Sequence, residues 1–183
     1  MCQFRNGEHV RLLARSMDGV SGLGLCDTLG HGATCVSRFP TTWTVFHTSH
    51  RGTIVLLETR SSRYLGRCHD CMPNALKSVP DQAFVGYTNW HGQPWVQWSC
   101  MDTGSGIALQ SSDSRKFLAW CQGCLTIGSG MDFFAIGTVH VPDWRDDDVA
   151  TWVVQRLSTN ETDEVADDDR TQTTSTRAEA SQQ

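Results

Sequence analysis

Apolar residues come in short runs along the first 157 positions, and the runs alternate with polar or variable residues. Val10-Arg11-Leu12, Ile54-Val55-Leu56 and Ile107-Ala108-Leu109 have the period of two that places one strand face in a core. Polar turns follow them at Met17-Asp18-Gly19, Arg60-Ser61-Ser62 and Ser111-Ser112-Asp113-Ser114, built from side chains that tolerate turn conformations. Apolar runs then recur at Ala33-Thr34-Cys35-Val36, Ala83-Phe84-Val85 and Phe133-Phe134-Ala135-Ile136. Each block closes on a tryptophan: Trp43-Thr44-Val45-Phe46, Trp98-Ser99-Cys100 and Trp152-Val153-Val154. No segment of the body carries a helical stripe. Pro40, Pro73, Pro80, Pro94 and Pro142 all fall between apolar runs, where they remove no sheet hydrogen bond.

The blocks are copies of one pattern. Ile54 maps to Ile107, Leu56 to Leu109, Tyr64 to Phe117, Leu65 to Leu118, Cys68 to Cys121 and Cys71 to Cys124, all at an offset of 53. A weaker copy precedes them. Val10 and Leu12 stand 44 positions before Ile54 and Leu56, while Leu23 and Cys26 stand 42 before Leu65 and Cys68. The two-residue slip falls in a turn, where length changes are tolerated. Leu29 occupies the place of this copy's second cysteine. The repeats span about 7–46, 52–100 and 106–156.

Each repeat reads as four short strands, so three repeats give twelve. One such unit cannot bury its apolar face alone. Three units around a pseudo-threefold axis close a six-stranded barrel and cap it with three hairpins. The expected fold is all-β, a β-trefoil over 1–157, with Ile54, Leu56, Leu65, Phe84, Trp98 and their counterparts at the centre. A two-sheet sandwich is the competing architecture for so many short strands.

Gly106-Ile107-Ala108-Leu109-Gln110-Ser111 with Lys116-Phe117-Leu118-Ala119, and Gly52 with Tyr64-Leu65, resemble the fascin-like, actin-crosslinking group of β-trefoil repeats. The resemblance covers the second and third repeats. It implies a non-enzymatic binding module whose partner is a protein such as an actin-like filament. The cysteine pair after the aromatic-Leu step is not part of that pattern. The ricin-type lectin trefoil carries a Gln-x-Trp motif that this chain lacks: Gln97 directly precedes Trp98. A carbohydrate-binding trefoil is the alternative reading, and fold alone does not choose between them.

The chain has eight cysteines. Cys68-x-x-Cys71 and Cys121-x-x-Cys124 admit three readings: a shared zinc site, a local disulfide in each pair, or reduced thiols packed as small apolar groups. Reduced thiols are the expectation in the absence of a recognisable export signal. Whether a metal binds is left open, and no cofactor is called for. Cys2, Cys26, Cys35 and Cys100 fall at or near core-type strand positions and read as structural.

The candidate ligand-binding residues are Trp90, His91 and Trp95, within Trp90-His91-Gly92-Gln93-Pro94-Trp95, and Trp144 in the matching connection of the third repeat. Flat indole faces stack on sugar rings and dominate binding hot spots. The alternative is that the rings merely pack on the barrel rim. His47 and His50 read as a surface loop between repeats, and Asp146-Asp147-Asp148 as a solvated loop. Gly128-Ser129-Gly130 lacks the Lys and helix of a phosphate loop. No catalytic triad order or metalloprotease motif occurs, so no catalytic residue is assigned.

Charge sharpens the division of the chain. The whole sequence has a formal net charge of −5, from 20 acids and 15 bases. Residues 158–183 hold seven of the acids and two of the bases, so the tail carries the entire excess and the body is neutral. A neutral body disfavours a nucleic-acid surface. The tail is too polar to bury a core and is expected to be disordered; Asn160-Glu161-Thr162 within it has glycosylation spacing. No 18-residue apolar stretch suggests membrane insertion. The first residues lack a basic start followed by an apolar run. The expected location is cytoplasmic, or extracellular if the sequence begins downstream of a leader.

Overall fold

A computed structural model describes residues 2–15, 18–26, 32–68, 81–121, 136–145 and 148–158. Among these residues are twelve strands, in four-strand sets that follow the repeats. The first set is β1 (Glu8–Ala14), β2 (Gly22–Leu25), β3 (Thr34–Ser37) and β4 (Trp43–His47). The second is β5 (Thr53–Glu58), β6 (Arg63–Cys68), β7 (Gln82–Tyr87) and β8 (Trp98–Asp102). The third is β9 (Ile107–Ser111), β10 (Phe117–Cys121), β11 (Ile136–Val141) and β12 (Trp152–Arg156). Two single helical turns, Pro94–Val96 and Asp148–Ala150, are the only helical elements among the described residues. The protein is all-β.

All pairings are antiparallel. Following β1 to β4, β5, β8, β9 and β12 leads back to β1. The first and last strands of each repeat therefore form a closed ring, with no free edge for another chain to pair with. The middle strands form the hairpins β2–β3, β6–β7 and β10–β11. Those hairpins meet one another: β11 pairs with β3 at Ile136↔Cys35 and with β7 at Thr138↔Gln82, and Ala33 bridges to Phe84.

Equivalent positions fill the core. Leu12, Leu56 and Leu109, then Leu23, Leu65 and Leu118, then Trp43, Trp98 and Trp152 are all fully buried. Val10, Ile54 and Ile107 form a fourth set, and Val36, Val85 and Val139 a fifth. Burying three indoles and so many aliphatic chains removes hundreds of square ångströms of apolar surface from water, the main drive for closing the ring.

One sequence expectation shifts. Phe84 is not a central residue: Ala83 and Val85 are buried in the core, and the pleat turns Phe84, between them, to the other face. Its ring lies over Gly86 and packs edge-on against Tyr87, with centroids 5.9 Å apart. The expected third-repeat strand falls partly outside the described residues. β11 spans Ile136–Val141, where Val139 and Val141 alternate into the interior. Phe133, Phe134 and Ala135 lie outside the described residues, as do 159–183 of the tail, Asp146, Asp147 and Gly128-Ser129-Gly130.

The turn after the first strand of each repeat is closed by a carboxylate that accepts backbone N–H groups. Asp18 takes those of Val20 and Ser21, Glu58 those of Arg60 and Ser61, and Asp113 that of Ser114. The bonds from Ser21 and Val20 hold the Asp18 carboxyl below its ordinary range. Hydrogen bonding satisfies turn donors that the ladders leave over. The three acids sit at different offsets, which hides the shared device in the sequence.

Candidate functional site

The connection between β7 and β8, residues 88–97, exposes Trp95 together with Thr88, Asn89 and His91. It is held in shape by its own hydrogen bonds. The Trp90 carbonyl accepts from the Gln93 backbone N–H at 3.2 Å and from Gln97 Nε2 at 3.3 Å. Pro94 opens the helical turn, where its missing N–H is no loss. Val96 is fully buried beneath it, and the Ser112 N–H donates to the Gln97 carbonyl at 3.0 Å, tying the loop to the third repeat. Gly66 on β6 makes this seat: a Cβ there would stand 2.6 Å from the Tyr87 ring and 3.0 Å from the Trp95 carbonyl oxygen.

Trp95 and His91 face solvent, with Trp95 36% exposed. Trp90 is half-buried and stacks on the His91 ring, centroids 3.9 Å apart and planes 23° from parallel. Asn89 Oδ1 accepts both the His91 backbone N–H and His91 Nδ1, each at 3.0 Å. With an acceptor on that side, Nδ1 carries the proton and Nε2 is left as the outward-facing nitrogen. Gln93 Oε1 has no hydrogen-bond partner although it is shielded from solvent. One exposed indole and the exposed amide and imidazole side chains of Asn89 and His91 thus stand on a fixed backbone.

Beneath the loop a charged cluster joins repeats two and three. Arg67 contacts Asp113 through Nε at 3.1 and 3.0 Å and Asp81 through a terminal nitrogen at 2.8 Å. Lys116 stands 3.8 Å from Asp81, and the Tyr87 hydroxyl donates to the Arg67 carbonyl at 2.8 Å. Burial pushes the Asp113 carboxyl upward, but bonds from Arg67 and Ser111 and the Arg67 charge outweigh it and hold the group below its ordinary range. Burial raises the Tyr87 hydroxyl. Nothing in the sequence pattern marked this cluster, because its members come from three separate turns and strands.

Trp144, in the connection between β11 and β12, is not brought near that loop's arrangement. It packs against the cluster of Ala108, Phe117, Ala119, Val141 and Ala150, and the Arg145 guanidinium lies 4.9 Å above its ring. Trp90, His91 and Trp95 therefore share one surface element, and Trp144 belongs to another.

The cysteines depart from the expectation of reduced thiols. Cys2 is disulfide-bonded to Cys100, with Cα atoms 5.6 Å apart across 98 residues, and Cys26 to Cys35, at 5.8 Å across nine. Cys68 and Cys121 are also disulfide-bonded; Cys71 and Cys124 lie outside the described residues. No cysteine is free among the described residues. Cys68 and Cys121 thus have no thiolate to offer, which removes them as zinc ligands. Cys26, Cys68 and Cys121 occupy the same place in their repeats. The first repeat, with Leu29 in the second cysteine's place, uses Cys35 on the facing strand instead. Among the described residues no group of three or more His, Cys, Asp or Glu side chains is placed to hold a metal. His47 is turned away from that role, its Nε2 on the Phe4 carbonyl at 2.9 Å.

No family model matches the chain, and no curated protein matches it by sequence. Solved structures do match it in fold. A lectin from Polyporus squamosus, bound to the epitope Neu5Aca2-6Galb1-4GlcNAc, superposes with a TM-score of 0.58 at 11% identity, over 85% of this chain and 51% of the lectin. The chain thus spans about half of that lectin's length. A Culex quiquefasciatus salivary protein of the Cysteine and Tryptophan-Rich family gives 0.56 at 12% identity, over 82% of this chain and 94% of that one. A designed threefold-symmetric protein, ThreeFoil, gives 0.51 at 20% identity, over 81% and 99%. Lectins and cytolethal distending toxins are among the neighbours. The likeness is one of fold, and it lends nothing to the fascin-like, actin-crosslinking resemblance. Among the described residues no helix is long and apolar enough to cross a membrane.

Proposed function

We propose that the chain is a β-trefoil, with three four-stranded repeats over 1–157, acting as a non-enzymatic carbohydrate-binding module, and that the 88–97 loop is its binding surface. The fold reading is supported by the closed ring of β1, β4, β5, β8, β9 and β12 and the three hairpins that meet across β3, β7 and β11. The functional reading rests on one observation: an exposed indole, Trp95, on a loop that also exposes Asn89 and His91 and is already fixed by its own hydrogen bonds. Stacking supplies affinity, polar groups supply orientation, and a rigid loop loses little entropy on binding. Actin-like filaments remain the sequence-based alternative, with no structural feature in their favour.

The reading includes an oxidising location. Disulfides persist outside the reducing cytosol, and all six cysteines among the described residues are bridged. An extracellular or otherwise oxidising compartment therefore replaces the cytoplasmic expectation as the proposal.

The test is a glycan array probed with the full oxidised chain. Binding that disappears in Trp95→Ala supports the reading. An array without signal, together with pelleting of the protein with actin filaments, replaces it with the cytoskeletal one.

A further inference from the structure

Three equivalent connections join the third and fourth strands of the repeats, and each carries an aromatic residue: Phe39, the pair Trp90 and Trp95, and Trp144. A threefold fold suggests three equivalent sites. The structure makes the three connections chemically unlike one another.

In repeat one the connection is only five residues, 38–42. Phe39 is 89% exposed, but the neutral polar groups flanking it are bonded within the fold. Ser37 Oγ accepts the Phe39 N–H, Thr41 Oγ1 accepts the Leu25 N–H, and the Thr42 carbonyl accepts from Thr59. The exposed neighbour of the ring is a cation, Arg38, which suits an acidic group better than the hydroxyls of an uncharged sugar.

In repeat three the ring is covered. Trp144 is set against the Ala108–Phe117 cluster, and Arg145 lies over its ring while bonding Asp143 at 3.2 Å. A sugar would have to displace that cation–π contact. Asp143 and Asp148 add negative charge to the same connection.

In repeat two, residues 88–97 include no Asp, Glu, Lys or Arg. The charges beside it are engaged: Arg67 by Asp81 and Asp113, Lys116 by Asp81, and Arg63 by the Gly86 carbonyl at 3.5 Å. An acidic sugar would meet no unpaired cation in the loop, and a neutral one loses nothing by its absence.

We propose that the module is monovalent: the repeat-two loop alone forms a working site, and it takes an uncharged saccharide. This rests on the carbohydrate-binding reading above. The experiment is isothermal titration of the full oxidised chain with uncharged oligosaccharides terminating in galactose, N-acetylglucosamine or mannose, and with sialylated and sulfated forms of the same chains. The expected stoichiometry is about one per protein, with Trp95→Ala weakening binding at least about tenfold. Phe39→Ala and Arg145→Ala, which touch surface groups only, should change affinity less than about twofold. Trp144→Phe keeps the packed ring and serves as a folded third control. A stoichiometry of two or three, a loss in Phe39→Ala or Trp144→Phe matching that in Trp95→Ala, or tighter binding of the acidic forms overturns the inference while leaving the carbohydrate reading in place. Absence of binding to every saccharide overturns the reading itself and this inference with it.

Discussion

The indole N–H of Trp98 donates to the carbonyl oxygen of Leu65 at 3.1 Å, and one repeat later Trp152 makes the same bond to Leu118 at 3.0 Å. The bond ties the last strand of a repeat to its second and lies fully inside the core. Repeat one breaks the rule. Trp43 Nε1 is buried without a partner, and the Leu23 carbonyl that would accept it takes the Thr41 backbone N–H instead, at 3.0 Å. The short connection of repeat one folds back far enough to make that bond.

This asymmetry can be measured. Trp→Phe at each of the three positions removes similar volume, but only Trp98→Phe and Trp152→Phe strand a buried carbonyl. Both should cost about 1–3 kcal/mol more than Trp43→Phe. Urea unfolding of the three variants compares them directly; equal losses would show that the bond contributes nothing net.

The disulfides should differ in weight. Cys2–Cys100 closes a loop of 98 residues and Cys26–Cys35 one of nine. Loop-closure entropy gives about 4–5 kcal/mol for the first and about 2.5–3 kcal/mol for the second. The double variant Cys2→Ser/Cys100→Ser should therefore lower the unfolding free energy more than Cys26→Ser/Cys35→Ser. Phe4, buried at the end of the core cluster beside Cys2, should become accessible to proteolysis at the N-terminal segment once the first bridge is gone.

Gly86→Ala should be destabilising through a single clash. An added Cβ would stand 2.0 Å from the Phe84 ring, and overpacking of this kind costs about 1–3 kcal/mol. The penalty should shrink in a Phe84→Ala background. A double-mutant cycle by chemical denaturation reads the coupling; additive losses would place the cost in the backbone instead.

Acid stability should depend on Asp113. Its folded pKa lies below the ordinary value, so the unfolded chain binds the proton more readily. Its stabilising contribution is complete above about pH 4 and is lost as the pH falls through the lowered folded value. Asp113→Asn should therefore be less stable than the parent near neutrality and show a flatter decline below pH 4. Urea midpoints followed from pH 7 downward test this; parallel curves would rule it out.

How far the sequence reached can be judged at particular positions. Leu12, Leu56 and Leu109, and Trp43, Trp98 and Trp152, were legible because strand period and repeat spacing act on neighbouring residues. Phe84 was misplaced because an aromatic residue attracts a core assignment, whereas the pleat assigns the interior to Val85. The Trp90–Trp95 loop was recognisable by composition, but not which of its rings would be exposed.

The sequence by itself determined the all-β character, the three blocks and the residues that pack around their shared centre, because local alternation and repetition encode them. Tertiary structure alone decided the rest. Cys2 meets Cys100 and Arg67 meets Asp113 only once distant strands have closed the ring, and covalent or ionic pairing depends on that distance and not on position along the chain. It also decided that Trp95 stays open to solvent while Trp144 is covered by Arg145. Two aromatic residues in equivalent loops differ because their neighbours do.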